Sequence, residues 1–286
     1  MATRNAGAGF ACQYTLESDH VSGLPVEYFK GGKGPPLLYM HGLGRWANWD
    51  SDHIGLALTH NVFAPTLHGW KSGQLPAGIK SVDDYAALMI EFLDHQKLDT
   101  VDIVANSFGG WVAAHIALQA PERVSRLVLV NAMGIDEVEA PASNIADLDS
   151  NELYNAAFAA KSGIMVATGD FGGVPLNLKN GEVFKHMIHG QHNLVALTGG
   201  VCGEPGLAKK LEALSAPTLL VWGEEDQIVP IASAAVFRAQ IQGSRLVQIQ
   251  GAGNCPQKEK PNTFVGVVSN FLSGREKAIV GATVIG

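Results

Sequence analysis

Thr100-Val101-Asp102-Ile103-Val104-Ala105-Asn106-Ser107-Phe108-Gly109-Gly110-Trp111 is the stretch on which the fold turns. Its first half is β-branched and apolar enough for a buried central strand, and the glycine pair breaks it before a helical pattern over Trp111 to Gln119. The pattern small residue, any residue, serine, any residue, glycine, with Ala105 in the first position, fits a strained strand-to-helix turn. Small flanks are needed there because the two backbones approach closely. Such pentapeptides are common, and the strand before and helix after make this one specific.

Working outward toward the N-terminus, the run Leu37 to Met40 predicts a second buried strand, followed by the loop His41-Gly42-Leu43-Gly44. Two earlier runs, near Cys12 to Leu16 and Val26 to Lys30, predict an antiparallel entry to the sheet, and a further strand is expected at Val62-Phe63-Ala64. Trp46, Asn48 and Trp49 follow the glycine loop and can line a cavity or pack in a core. Ser81, with Asp84 three residues on, opens a helix whose Tyr85, Leu88, Met89, Phe92 and Leu93 make one buried stripe.

Toward the C-terminus a strand over Val124 to Asn131 precedes a change of texture. Residues from about Gly134 to Leu214 are helical in pattern and punctuated by glycine, and they divide the chain into a core of residues 1–133 and 215–286 and an insertion of residues 134–214. The insertion holds His186, His189 and His192 at spacing three, which geometry allows as metal ligands, although a helix face is the preferred reading. The strand Ala216 to Trp222 runs into Gly223-Glu224-Glu225-Asp226-Gln227-Ile228-Val229-Pro230, and the strand Arg245 to Ile249 into Gly251-Ala252-Gly253-Asn254-Cys255-Pro256. A helix from about Asn262 to Leu272 closes the pattern.

Strands alternating with helices give an α/β class with a mostly parallel sheet, expected to have eight strands flanked by helices. With the motifs above, the chain resembles the α/β-hydrolase-fold proteins that carry a helical cap. That resemblance implies Ser107 as nucleophile, Asp226 as the acid that orients a base, Leu43 and Phe108 as oxyanion-hole amides, and the insertion as a lid over the strand ends. It also implies a histidine in a Gly-x-Gly-His-x-Pro setting, and Asn254 stands at that position with its neighbours kept. Gly42, Trp46, Asn106 and Cys255 become candidates to touch substrate. Asn106-Ser107-x-Gly-Gly and the Trp-x-Asn after the glycine loop are similar to the branch that cleaves carbon–carbon bonds of ring-cleavage products. That branch usually carries a cap arginine and a tryptophan after the histidine; here the insertion has no arginine and Cys255 follows.

An asparagine side chain can donate to Asp226 but does not titrate near neutral pH and cannot reach Ser107 as an imidazole does. Three readings stay open at this point: a hydrolase scaffold whose base was replaced, a lyase, cyclase or isomerase using the same pocket, and a ligand-binding pseudoenzyme. The expected partner is a small, mainly apolar molecule such as an ester, a lactone or an activated carbon–carbon compound.

Bulk properties agree with a soluble globular chain: 286 residues, 47% hydrophobic, 16% charged. The net charge of −7 argues against nucleic acid. No apolar run approaches a membrane span, and a cytoplasmic protein with no membrane partner is expected; a homodimer is left open. Three cysteines, Cys12, Cys202 and Cys255, lack metal or disulfide spacing. No motif calls for a metal or an organic cofactor.

Overall fold

The computed structural model describes residues 2–4, 13–43, 49–136, 138, 144–159, 182–275 and 279–285. Strands β1 (Ala2–Arg4), β2 (Tyr14–Val21), β3 (Leu24–Gly31), β4 (Pro36–Met40) and β5 (Asn61–Pro65) make one half of a sheet. The other half is β6 (Val101–Asn106), β7 (Val124–Val130), β10 (Thr218–Gly223), β11 (Arg245–Ile249) and β12 (Ala282–Ile285). Their spatial order is β1-β2-β3-β5-β4-β6-β7-β10-β11-β12. From β5 through β11 neighbours run parallel; the β1/β2, β2/β3, β3/β5 and β11/β12 pairs are antiparallel. The sheet thus has ten strands among the described residues, against the eight read from the sequence. The two additions are the edge strands β1 and β12, of three and four residues, too short to show a period.

Helices cover both faces, which is why the middles of the central strands are apolar on both sides. Leu38, Met40, Ile103, Ala105, Leu127 and Leu129 face one core with α2 (Val82–His95), α3 (Phe108–Gln119) and α7 (Ile231–Gln240). Their alternates Leu37, Tyr39, Val104, Val128 and Val130 face another with α1 (Ser51–Ala57) and α9 (Pro261–Leu272). Ser81 caps α2, its hydroxyl accepting from the Asp84 amide at 3.2 Å, and the expected apolar stripe of that helix is buried.

Residues 134–214 contribute β8 (Gly134–Ile135), a short turn of 3-10 helix at Ile145–Asp147, α4 (Ser150–Ala157), α5 (Glu182–Thr198), β9 (Gly203–Glu204) and α6 (Leu207–Lys210). β8 and β9 pair in parallel, Gly134 with Gly203 and Ile135 with Glu204, where this stretch leaves the sheet and returns. Leu207, Leu211 and Leu214 are buried in the same apolar cluster as α3. No helix among the described residues is long and apolar enough to cross a membrane.

Candidate active site

Ser107 sits between β6 and α3 with φ 53° and ψ −117°, left-handed backbone that an L residue adopts only under constraint. Three close approaches surround it. A Cβ on Gly109 would lie 2.5 Å from the His41 carbonyl oxygen, one on Gly110 would lie 2.6 Å from the Ala132 Cβ, and one on Gly42 would lie 2.7 Å from the Ser107 Cβ. The small residues of the motif are therefore a packing requirement, and they set the 41–43 loop directly against the serine. Phe108 opens α3 and is fully buried, its ring stacked on Trp70 at 5.0 Å. Leu43 is buried as well.

His41 is committed to its loop. Its Nε2 accepts the Leu67 amide at 3.0 Å, so the proton is on Nδ1, which donates to the Gly42 carbonyl at 2.8 Å. The ten histidines of the chain all fall on described residues, and none hydrogen-bonds Ser107: its Oγ is buried without a hydrogen-bond partner.

Asp226 follows β10 and gathers four donors. Oδ1 accepts the amides of Ile228 at 2.8 Å and Val229 at 3.0 Å, the pattern of a short side chain closing its own turn. Oδ2 accepts Nδ2 of Asn131 at 2.5 Å and Nδ2 of Asn254 at 2.9 Å. Burial pushes the Asp226 carboxyl up to about 6, and the hydrogen bonds from Val229, Asn254, Asn131 and Ile228 hold it from rising further.

Asn131 is a residue the sequence reading passed over. It follows directly on β7 with φ 45°, is wholly buried, and its Oδ1 accepts the Gly223 amide at 3.3 Å while Nδ2 reaches Asp226. An asparagine closing a strand reads as turn chemistry, and only tertiary structure reveals what it faces.

The loop bearing Asn254 is held from below and from the side. A Cβ on Gly223 would stand 2.0 Å from the Gly253 carbonyl, so β10 and this loop touch backbone to backbone. The amides of Gly253 and Ala159 both donate to the buried Glu259 carboxylate at 2.8 Å, and the Asn254 amide donates to Ala157 O at 2.9 Å. The end of α4 thus lies against the loop, a contact no local pattern announces.

Other expected residues fall as follows. Asn106 spends its Nδ2 on Val130 O at 3.1 Å and Asn254 O at 2.9 Å, so it braces the serine turn and the 254 loop. Cys255 is buried in the apolar cluster and caps α8 (Pro256–Glu259) through its carbonyl. Trp49 stacks on Tyr14 and His53 at ring distances of 5.3 and 5.1 Å, in the core facing α1. Gly44, Trp46, Asn48 and Cys12 lie outside the described residues. His186 and His189 face each other on α5 with rings 6.2 Å apart, and His192 is exposed. Asp50, Asp52 and His53 bring ligand atoms within 4.8 Å, but Lys258 already pairs with Asp50 there and its Nζ lies 3.8 Å from Asp52. A cavity of about 610 Å³ lined by Leu219, Arg245, Val267 and Phe271 lies at the starts of β10 and β11, the ends opposite Asp226.

Comparison with known proteins agrees with this architecture. Residues 37–267 match the model of the alpha/beta hydrolase family. The 2-hydroxymuconate semialdehyde hydrolase of Pseudomonas sp. (strain CF600) is 29% identical over 275 residues, covering 91% of this chain and 94% of that protein. The 2-hydroxy-6-oxo-2,4-heptadienoate hydrolase of Pseudomonas putida strain F1 is 26% identical, covering 89% and 95%. Among solved structures, the 2-hydroxy-6-oxo-6-phenylhexa-2,4-dienoate hydrolase from Rhodococcus sp. strain RHA1 superposes with a TM-score of 0.73 at 19% identity, over 92% of this chain and 99% of that one. The chain belongs to the alpha/beta hydrolase family, and its fold is that of the family.

Proposed function

We propose that this protein is a serine hydrolase in which the position of the catalytic base is held by Asn254. The substrate class we assign to it is a mainly apolar small ester, lactone or activated carbon–carbon compound, a reading supported by the carbon–carbon bond hydrolases among the relatives it resembles. Ser107 is the nucleophile, the amides of Leu43 and Phe108 receive the developing oxyanion, Asp226 is the orienting acid, and residues 134–214 act as a cap over the strand ends. One observation carries the reading: Asn254 Nδ2 donates to Asp226 Oδ2 at 2.9 Å while the Ser107 hydroxyl is buried without a partner. The amide reproduces the half of an imidazole that faces the acid and omits the half that faces the serine.

General base catalysis contributes about 10² to 10⁴ in rate, so hydrolysis by the chain as it stands falls by that order while binding is kept. Asn254→His supplies the ring nitrogen and is expected to raise ester hydrolysis by about 10²-fold or more. The measurement is initial rate for the parent, Asn254→His and Asn254→His with Ser107→Ala across esters, lactones and vinylogous diketones. A folded Asn254→His protein no faster than its parent on every compound defeats the reading.

A further inference from the structure

The surroundings of Ser107 say what a substrate of this site must bring. A hydroxyl adds to a carbonyl only if its proton has somewhere to go. Among the described residues no group offers a place. The Ser107 Oγ has no hydrogen-bond partner, and His41, which adjoins Gly42, is closed between Leu67 and Gly42. Asp226 receives two donors on each oxygen, which fills the acceptor capacity of a carboxylate. Asn254 turns its NH2 to Asp226, and an amide oxygen is too weak a base to hold a proton at neutral pH. What remains intact is a nucleophile at a strained turn with the Gly42 backbone against it.

We propose that this site turns over acyl compounds that carry their own proton acceptor on the acyl side, an ester or lactone whose tertiary amine folds back beside the carbonyl. This rests on the hydrolase reading above and narrows its substrate class.

The proton accounting closes with no other co-reactant than water. In acylation the Ser107 O–H bond breaks as its oxygen bonds to the carbonyl carbon, and the proton goes to the amine nitrogen. The carbon–leaving-group bond then breaks, and the departing alkoxide takes that proton from the ammonium. The amine, still tethered in the acyl-enzyme, is free again and takes a proton from the attacking water. Collapse of the second tetrahedral intermediate returns the proton to Ser107 and releases the amino acid. An amine on the leaving group serves the first half only and departs before the second.

The test uses the wild-type chain with three esters: ethyl γ-dimethylaminobutyrate, its carbon isostere with CH in place of N, and an ester of the isosteric acid with dimethylaminoethanol. Expected are continuous turnover of the first, faster than the isostere by about 10²-fold and rising with pH as the amine loses its proton. The third should release one equivalent of alcohol per chain and stop. Ser107→Ala should abolish all of it. Equal rates for the amino ester and its isostere overturn the proposal, as does failure of the amino ester with wild type when Asn254→His hydrolyses the isostere. If folded Asn254→His also leaves the isostere untouched, the hydrolase reading falls with it.

Discussion

Four donors converge on Asp226, and Asn131 is the one whose removal separates stability from chemistry. Asn131→Ala takes away a 2.5 Å hydrogen bond, leaves the Gly223 amide without its side-chain acceptor, and puts alanine at φ 45°, where asparagine is better tolerated. The cost should be about 1–3 kcal/mol in urea unfolding at neutral pH. Its pH dependence has a definite sign. The folded carboxyl titrates at about 6 against an ordinary 3.8, so the stability it contributes is full below the unfolded value and is lost as pH rises through about 6. Without Asn131 the ionised form loses one donor, and the stability gap between wild type and variant should widen over that rise. A gap constant from about pH 4 to about pH 8, a range that spans both values, contradicts this account.

At the scale of elements, His115 joins three pieces of the fold. From α3 its Nδ1 faces Asp83 of α2 at 2.6 Å and its Nε2 faces Glu204 of β9 at 3.2 Å, so both ring nitrogens address carboxylates and both must carry protons. Burial alone would lower its pKa, but the hydrogen bonds and charges of Glu204 and Asp83 outweigh this and raise it. Glu204, also paired with Lys210 at 3.0 Å, is desolvated too, yet these two cations draw it down to about 2. The His115 contribution is therefore full below its ordinary value and disappears as pH climbs through the raised one. Because Glu204 belongs to the β8/β9 pair, the protection of the amides at residues 134–136 and 203–204, taken relative to their intrinsic exchange rates, should fall over that climb, and His115→Gln should remove this fall. Such ties also explain what the sequence made legible. The serine turn, Asp226 and Asn254 each end a strand with small or turn residues close by, a local pattern. Asn131 and Asp83 act on partners far along the chain, as Glu259 does on Ala159, and nothing local marks those contacts. The short edge strands β1 and β12 escape for a different reason: so few residues cannot display a period of two.

Taken over the whole molecule, the stretch 134–214 and the 254 loop are bound by long-range polar contacts. Glu259 accepts amides from Gly253 and from Ala159, a hundred residues away in sequence, and burial raises its carboxyl against the lowering effect of the Ala159, Gly253 and Cys255 amides. Glu259→Ala leaves at least two buried donors unpaired and should lower stability by at least about 2 kcal/mol, read from the urea midpoint at constant slope. An unchanged midpoint would show that the carboxylate is dispensable. The Asn254 amide on the Ala157 carbonyl has a consequence for protein engineering. Exchanging residues 134–214 for those of a relative, to borrow its specificity, would carry off the anchor on which position 254 hangs. Chimeras cut at those two junctions should inherit a misplaced loop, whereas grafts that leave 157–159 in place should keep it.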